Sequence, residues 1–356
     1  MNEIILSLHM HTIYSDGSGK HIDLAKAAVA AGIDAILVTD HNVLVKDFER
    51  VWHFENGNVL MLVGEEIHDQ TCSPQKNHLL VFNTEEELAH LAQDTQNLID
   101  TVRQKGGLAF LAHPYDPECP PINEGDISWE NWDVHGYNGI ELWNSLSDLK
   151  IRSRTFTEIL FYIFFPKMLN IAPPKQHMQI WNELHSKGQR VVALGGADAH
   201  AIKVQRGPLK REVFPYEFHF KGITTHLLLS ESLTANITTD RNLIFSAMEQ
   251  GHCFVANDLF SPARGFSFKC EWQGGSATMG DEVMINQPFT LKINLPKKAE
   301  CQLLKDGMVL RTWNNHEQCV YPAKEPGVYR VEVYHTVNRR RLGWIYSNPI
   351  YIRPAN

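Results

Sequence analysis

Potential metal ligands close apolar runs at four places in the chain: His9-Met10-His11, Thr39-Asp40-His41, Leu111-Ala112-His113 and Asp198-Ala199-His200. Imidazole and carboxylate groups are the usual ligands of divalent ions that are not held by sulfur. Side chains alternate along a strand, so His9 with His11, and Asp198 with His200, can each aim two donors at one point. One such pair means little. Clusters drawn from both ends of residues 9–200, each at a strand end, suggest a group of metals at the carboxyl ends of a barrel's strands.

The elements that must position these groups follow a βα rhythm. Ile4-Leu8 leads to His9, a helical stretch around Asp23-Ala31 stops at Gly32, and Ala35-Thr39 leads to Asp40-His41. Gly32 stands where a helix C-cap belongs. Further strand-like runs are Val59-Val63 before Gly64-Glu65, His78-Phe82, Leu108-Ala112, Gly139-Trp143, Val191-Leu194 and His226-Leu229, with a helix from about Glu85 to Gln104. About seven parallel strands with intervening helices predict an α/β fold, a distorted (β/α)7 TIM-like barrel over residues 1–260. Residues 145–190 form a possible cap insertion; their apolar run Phe156 to Phe165 reads as a helix buried in the core or beneath a lid, with a pocket wall or subunit contact as the alternative. From Ser261 helical periodicity gives way to short alternating runs broken by Gly and Pro, so residues 261–356 are expected to form a small all-β sandwich domain.

Composition narrows the function classes. A net charge of −8 with 41 acidic residues argues against a protein that binds long nucleic acid, which needs a basic field to neutralise phosphates. A small phosphorylated molecule needs only local positive charge, which bound metals supply. The six cysteines are scattered without a CxxC pair, which argues against thiolate metal sites. MNEIILSLHMHT opens straight into a strand-like run without the features of a signal peptide, and no apolar segment is long enough to span a membrane, so the reading is cytoplasmic.

HMHTIYSDGS at 9–18, TDHN at 39–42, GEE at 64–66, NHLL at 77–80, AHP at 112–114 and DAH at 198–200 together resemble the polymerase and histidinol phosphatase (PHP) superfamily. Within it, the chain is similar to the metal-dependent phosphoesterases whose barrel is followed by a C-terminal β-domain. The resemblance implies a ligand set of His9, His11, Asp16, His41, Glu65, His78, His113, Asp198 and His200. His9, His11, Glu65 and Asp198 would hold a first metal; Glu65 would bridge to a second held also by His78 and His113; Asp16, His41 and His200 would hold a third. Two or three divalent ions, Zn, Mn or Fe, are implied. A bridging carboxylate can hold two metals about 3.5–4 Å apart, close enough to share the hydroxide that attacks phosphorus in line. A proton for the leaving oxygen would come from Asp16 or His200, or its charge would be met by the third metal. Asp40, beside His41, suits support of a ligand better than ligation.

Other positions are read more plainly. Asn144, after Gly139-Trp143, is expected to face the mouth and contact substrate, as is Glu141 or Trp143 depending on register. Arg206 is a candidate for a phosphate oxygen. His68 is read as a surface residue, with a place near the mouth as the alternative. The leading function is hydrolysis of a small phosphoester, with exonuclease or oligonucleotide hydrolase and a catalytically silent, metal-stabilised binding module as alternatives; hydrolysis of C–N bonds is a more distant one. The oligomeric state is left open.

Overall fold

A computed structural model of the chain describes residues 1–206, 209–337 and 339–355. The alternating apolar positions become a mixed sheet flanked by helices. The expected C-cap at Gly32 is realised: helix His21–Ala31 ends there with a left-handed φ of 76°. Along the first part of the sheet, successive neighbours are Val192–Gly196, Gly139–Asn144, Leu108–Leu111, Leu79–Phe82, Gly57–Ile67, Ala35–Val38, Asn2–Leu8, Ile223–Leu229 and Cys253–Asn257.

This order corrects the expectation of parallel strands throughout. Leu79–Phe82 runs antiparallel to both of its neighbours, and Ile223–Leu229 antiparallel to both of its own. Residues 68–78 contain no crossover helix, so the chain turns back on itself there. Among the described residues the ladder does not close on itself. Asn2–Leu8 and Val192–Gly196 meet beyond their ends, where Ala197 N donates to Leu8 O (2.9 Å), His11 N donates to Ala199 O (3.0 Å) and Met10 bridges Ala199 in parallel. This junction carries His9, His11, Asp198 and His200. Leu6, Leu8, Leu37, Leu60, Leu62, Leu80, Phe82 and Phe110 pack into one core beneath it.

Helices Ser145–Arg152, Phe156–Phe164 and Lys175–Ser186 fill most of the segment expected as a cap. The apolar run is helical, started by a Thr155–Glu158 capping box, but it is not buried: Phe156 is 54% and Phe164 60% exposed, and within the helix only Ile159 is buried. Strands from Ser267 to Arg353 pair antiparallel, except Glu282–Met284 with Ile350–Arg353. They enclose a second core that includes Phe268, Leu291, Val331 and Trp344. Cys253–Asn257 hydrogen-bonds to Arg340–Ser347, so the ladder crosses residue 260 without a break. Among the described residues, no helix is long and apolar enough to cross a membrane.

A buried charge trio lies at the join of the two parts, where Ala263 N donates to Asp258 Oδ1 and Gly265 N to Glu3 Oε2, both at 2.7 Å. His226 is fully buried between Glu3 (Nδ1 to Oε1, 2.7 Å) and Asp258 (Nε2 to Oδ2, 2.9 Å). Burial opposes the imidazolium, but the hydrogen bonds and charges of Asp258 and Glu3 outweigh it and raise His226 above 6.5. Burial likewise opposes the Asp258 carboxylate, and His226 outweighs it to hold Asp258 below 3.8. The raised His contributes stability below 6.5 and loses it as pH rises through its folded value. The depressed Asp contributes above 3.8 and loses it as pH falls. Stability from this trio is therefore greatest between 3.8 and 6.5. Thermal melts of His226→Gln against the parent should differ by about 5 °C in that window and converge as pH rises well above it. A gap that widens with rising pH would contradict the assignment.

Candidate metal centre

Glu66, not Glu65, stands at the middle of the ligand cluster. Its Oε2 lies 3.0 Å from His9 Nε2, 3.3 Å from His11 Nε2 and 3.2 Å from His41 Nδ1. Its Oε1 lies 2.8 Å from His78 Nδ1 and 3.0 Å from His113 Nε2. Register explains the choice between the two adjacent acids. In strand Gly57–Ile67, Leu60, Leu62, Gly64 and Glu66 share one face, and Leu60 and Leu62 lie in the core beneath the junction. Glu65 has the opposite parity. Its Oε2 accepts from Leu88 N (3.2 Å), and burial raises its carboxyl to about 7.

The other predicted ligands converge. Asp198 Oδ1 is 3.3 Å from His11 Nε2 and 3.6 Å from His9 Nε2. Asp16, more than half exposed, lies 3.2 Å from His200 Nε2 and 3.7 Å from both His11 Nδ1 and His41 Nε2. Donor atoms fall into four overlapping groups among the described residues: His11, Asp16, His41 and His200; His9, His113 and Asp198; His9, His11 and Glu66; His41, Glu66 and His78. His9, His113 and Asp198 reach the centre through left-handed backbone, with φ of 61°, 25° and 47°. Such conformations cost about 1–3 kcal/mol each in a residue other than glycine, and cluster at functional sites.

These residues fit divalent ions. His9 Nε2, His11 Nε2 and His41 Nδ1 are buried without a hydrogen-bond partner, although all three face Glu66. Unpartnered buried ring nitrogens are costly unless something binds them. Burial works against the Glu66 carboxylate, but the His9, His41, His78 and His11 imidazoles hold it well below the ordinary range.

Support beneath the cluster comes from residues the sequence reading placed differently, and from Asp40, which it read as supporting a ligand. Glu141 Oε1 pairs with His9 Nδ1 (2.8 Å), and its Oε2 accepts from His113 N (3.0 Å). A carboxylate on the far nitrogen fixes the tautomer and direction of a ligating imidazole. Asn144 is not at the mouth. It is fully buried, donates through Nδ2 to Glu141 Oε2 (2.9 Å) and Asp198 Oδ2 (3.1 Å), and caps helix Ser145–Arg152 through its Oδ1. Asp40 accepts from Thr12 N, Thr12 Oγ1 and Ser15 Oγ, all at 2.7 Å, and so organises the loop between His11 and Asp16. His68 is buried, not at the surface; its ring stacks on His78 with centroids 4.6 Å apart. Arg206 ends strand Ile202–Arg206, and its side chain lies outside the described residues.

Residues 7–138 match the family model of the PHP domain. An uncharacterized protein of Methanocaldococcus jannaschii is 26% identical over 150 residues, covering 39% of this chain and 80% of that protein. Of solved structures, a two-domain protein from Bacteroides vulgatus containing a predicted PHP-like metal-dependent phosphoesterase covers 98% of this chain and 95% of its own, at 16% identity and a TM-score of 0.44. A protein from Bifidobacterium adolescentis, provisionally named a metal-dependent phosphoesterase, covers 55% of this chain and 87% of its own, at 16% identity and a TM-score of 0.33.

Proposed function

We propose that the protein is a metal-dependent hydrolase of small phosphoesters, a phosphatase or phosphodiesterase acting on a metabolite or nucleotide. The observation that carries this reading is the convergence of three unpartnered imidazole nitrogens on one oxygen of Glu66. Two or three divalent ions fit the groups above, and a donor set without sulfur suits Zn, Mn or Fe. Such ions, when bound, acidify water and offset charge on phosphoryl oxygens.

The chain's own residues do the rest. Glu66 and Asp198 set the spacing of the imidazoles, and Glu141 locks His9 in place. His78 and His113 close the inner side. At the outer edge, the partial desolvation of Asp16 is outweighed by His200, His11 and His41, which keep it ionised. Asp16 is then an acceptor, and with the outer group of His11, Asp16, His41 and His200 free of an ion, His200 Nε2 is the group placed to deliver a proton to a leaving oxygen. The cavity above these residues holds about 260 Å³ and is walled in part by Ile122, Ile127, Leu146 and Ile202. That size favours a small molecule over a long strand.

Purified protein reloaded with Mn or Zn should release phosphate from at least one member of a broad phosphometabolite panel. Silence across the panel, with metal bound, would overturn the proposal. Stepwise shortening of a short labelled oligonucleotide, with no turnover of metabolites, would favour the exonuclease alternative instead.

A further inference from the structure

The cavity over the metal centre has a second chemical feature that ligation does not use. Lys150, from helix Ser145–Arg152, lines it and is only 3% exposed. Its Nζ pairs with Asp116 Oδ1 and donates to Gly125 O (3.3 Å), which leaves one N–H of the ammonium uncommitted. Asp116 is also buried; its Oδ2 accepts from Ser147 Oγ and lies 3.8 Å from His113 Nδ1. The ammonium is thus one carboxylate away from the ligand cluster. Among the described lining residues Lys150 is the one Lys or Arg, whereas Asp16, Glu66, Asp116, Glu124 and Asp198 are acidic.

Burying an ammonium costs several kcal/mol unless its partners repay it. A lysine used only to neutralise Asp116 has no need to line the cavity. An anionic substrate entering among five carboxylates, however, needs a cation beyond the ligand floor. We propose that Lys150 determines specificity for a terminal phosphate by donating to one of its non-bridging oxygens. This rests on the hydrolase reading above and names its substrate class. A terminal phosphate offers three non-bridging oxygens and a diester two, so a separate ammonium on the wall, added to the ligand floor, suits the monoester. Asp116 holds Lys150 in place between turnovers and aligns His113 through its other oxygen.

The test uses the full chain loaded with Mn, with inorganic phosphate as the probe. Metal content is measured by elemental analysis and phosphate affinity by calorimetry. Lys150→Gln should keep the parent's metal content and lose phosphate affinity by about 10–100-fold. Lys150→Arg should stay within a few-fold of the parent. Should Lys150→Gln lack a cooperative melt, Lys150→Met, which keeps the aliphatic stem, is read by the same criteria. Unchanged phosphate affinity in the neutral variant, or loss of metal in step with phosphate, would overturn the proposal and leave Lys150 a structural partner of Asp116. A parent that binds phosphate through Lys150 yet cleaves no phosphoester would instead overturn the hydrolase reading alone. A parent that cleaves monoesters with a KM unmoved by Lys150→Gln would do the reverse.

Discussion

Glu66→Gln should strip the protein of most of its metal and lower phosphoester turnover by on the order of 10²–10³-fold, whereas Glu65→Gln should leave both within a few-fold of the parent. The two substitutions are one residue apart and chemically identical. Only the facing of the strand separates them. Glu66 meets five imidazoles with its two oxygens, so removing its charge leaves those rings without the group that gathers them. Glu65 touches none of them and accepts one backbone hydrogen bond from Leu88. Metal content by elemental analysis and phosphate release, measured on both variants side by side, check this. Equal losses in the two would mean that the strand's facing does not select the ligand.

Gly196→Ala should disrupt the same centre without altering any ligand. A Cβ at this position would sit 1.7 Å from Glu141 Oε1 and 3.0 Å from the Cβ of His9. Neither atom can retreat easily. Glu141 is fully buried and already engaged by His9, His113 and Asn144, and His9 is held at a left-handed φ. Overpacking of this kind costs about 1–3 kcal/mol. The displaced carboxylate should also weaken metal binding by about 10–100-fold, the usual effect of losing a ligand's orienting partner. Glu141→Gln, which keeps the shape and removes the charge, should reproduce the loss of metal affinity with a smaller effect on stability. Melting temperature and competition with a chelator separate the two contributions. Normal metal affinity in Gly196→Ala would show that Glu141 does not orient His9.

The types and order of the ligands were legible in the sequence because His9, His11, His41, His113, Asp198 and His200 each follow an apolar run that becomes a strand, and His78 immediately precedes one. His9, His11, His41, His113, Asp198 and His200 arrive where strand ends suggested, and His78 reaches the same point from the start of an antiparallel strand. What pattern alone did not resolve was direction. Consecutive acids at 65 and 66 differ only in parity, and the deciding signal was the run Leu60, Leu62, Gly64 on the core face, which points to Glu66. Strand alternation did not predict that His9, His113 and Asp198 would turn inward through left-handed backbone, since that conformation is set by the junction of two strand ends.

Other differences have the same origin. Helices between apolar runs suggested parallel strands, but they do not fix the direction in which a strand returns. Hydrophobicity suggested burial for Phe156 to Phe165, yet the helix lies at the surface. Asn144 was expected at the mouth because it ends a strand, and it instead caps the next helix and holds Asp198. Lys150 gave no signal at all, since one lysine in a polar helix looks like a solvated one.

The most direct test is a crystal of the protein soaked in Mn or Zn and measured by anomalous scattering at the metal edge. The account predicts peaks within coordination distance of Glu66, with His9, His11, His78, His113 and Asp198 around them. Ions absent from this cluster under saturating metal, or bound through Glu65, would contradict it.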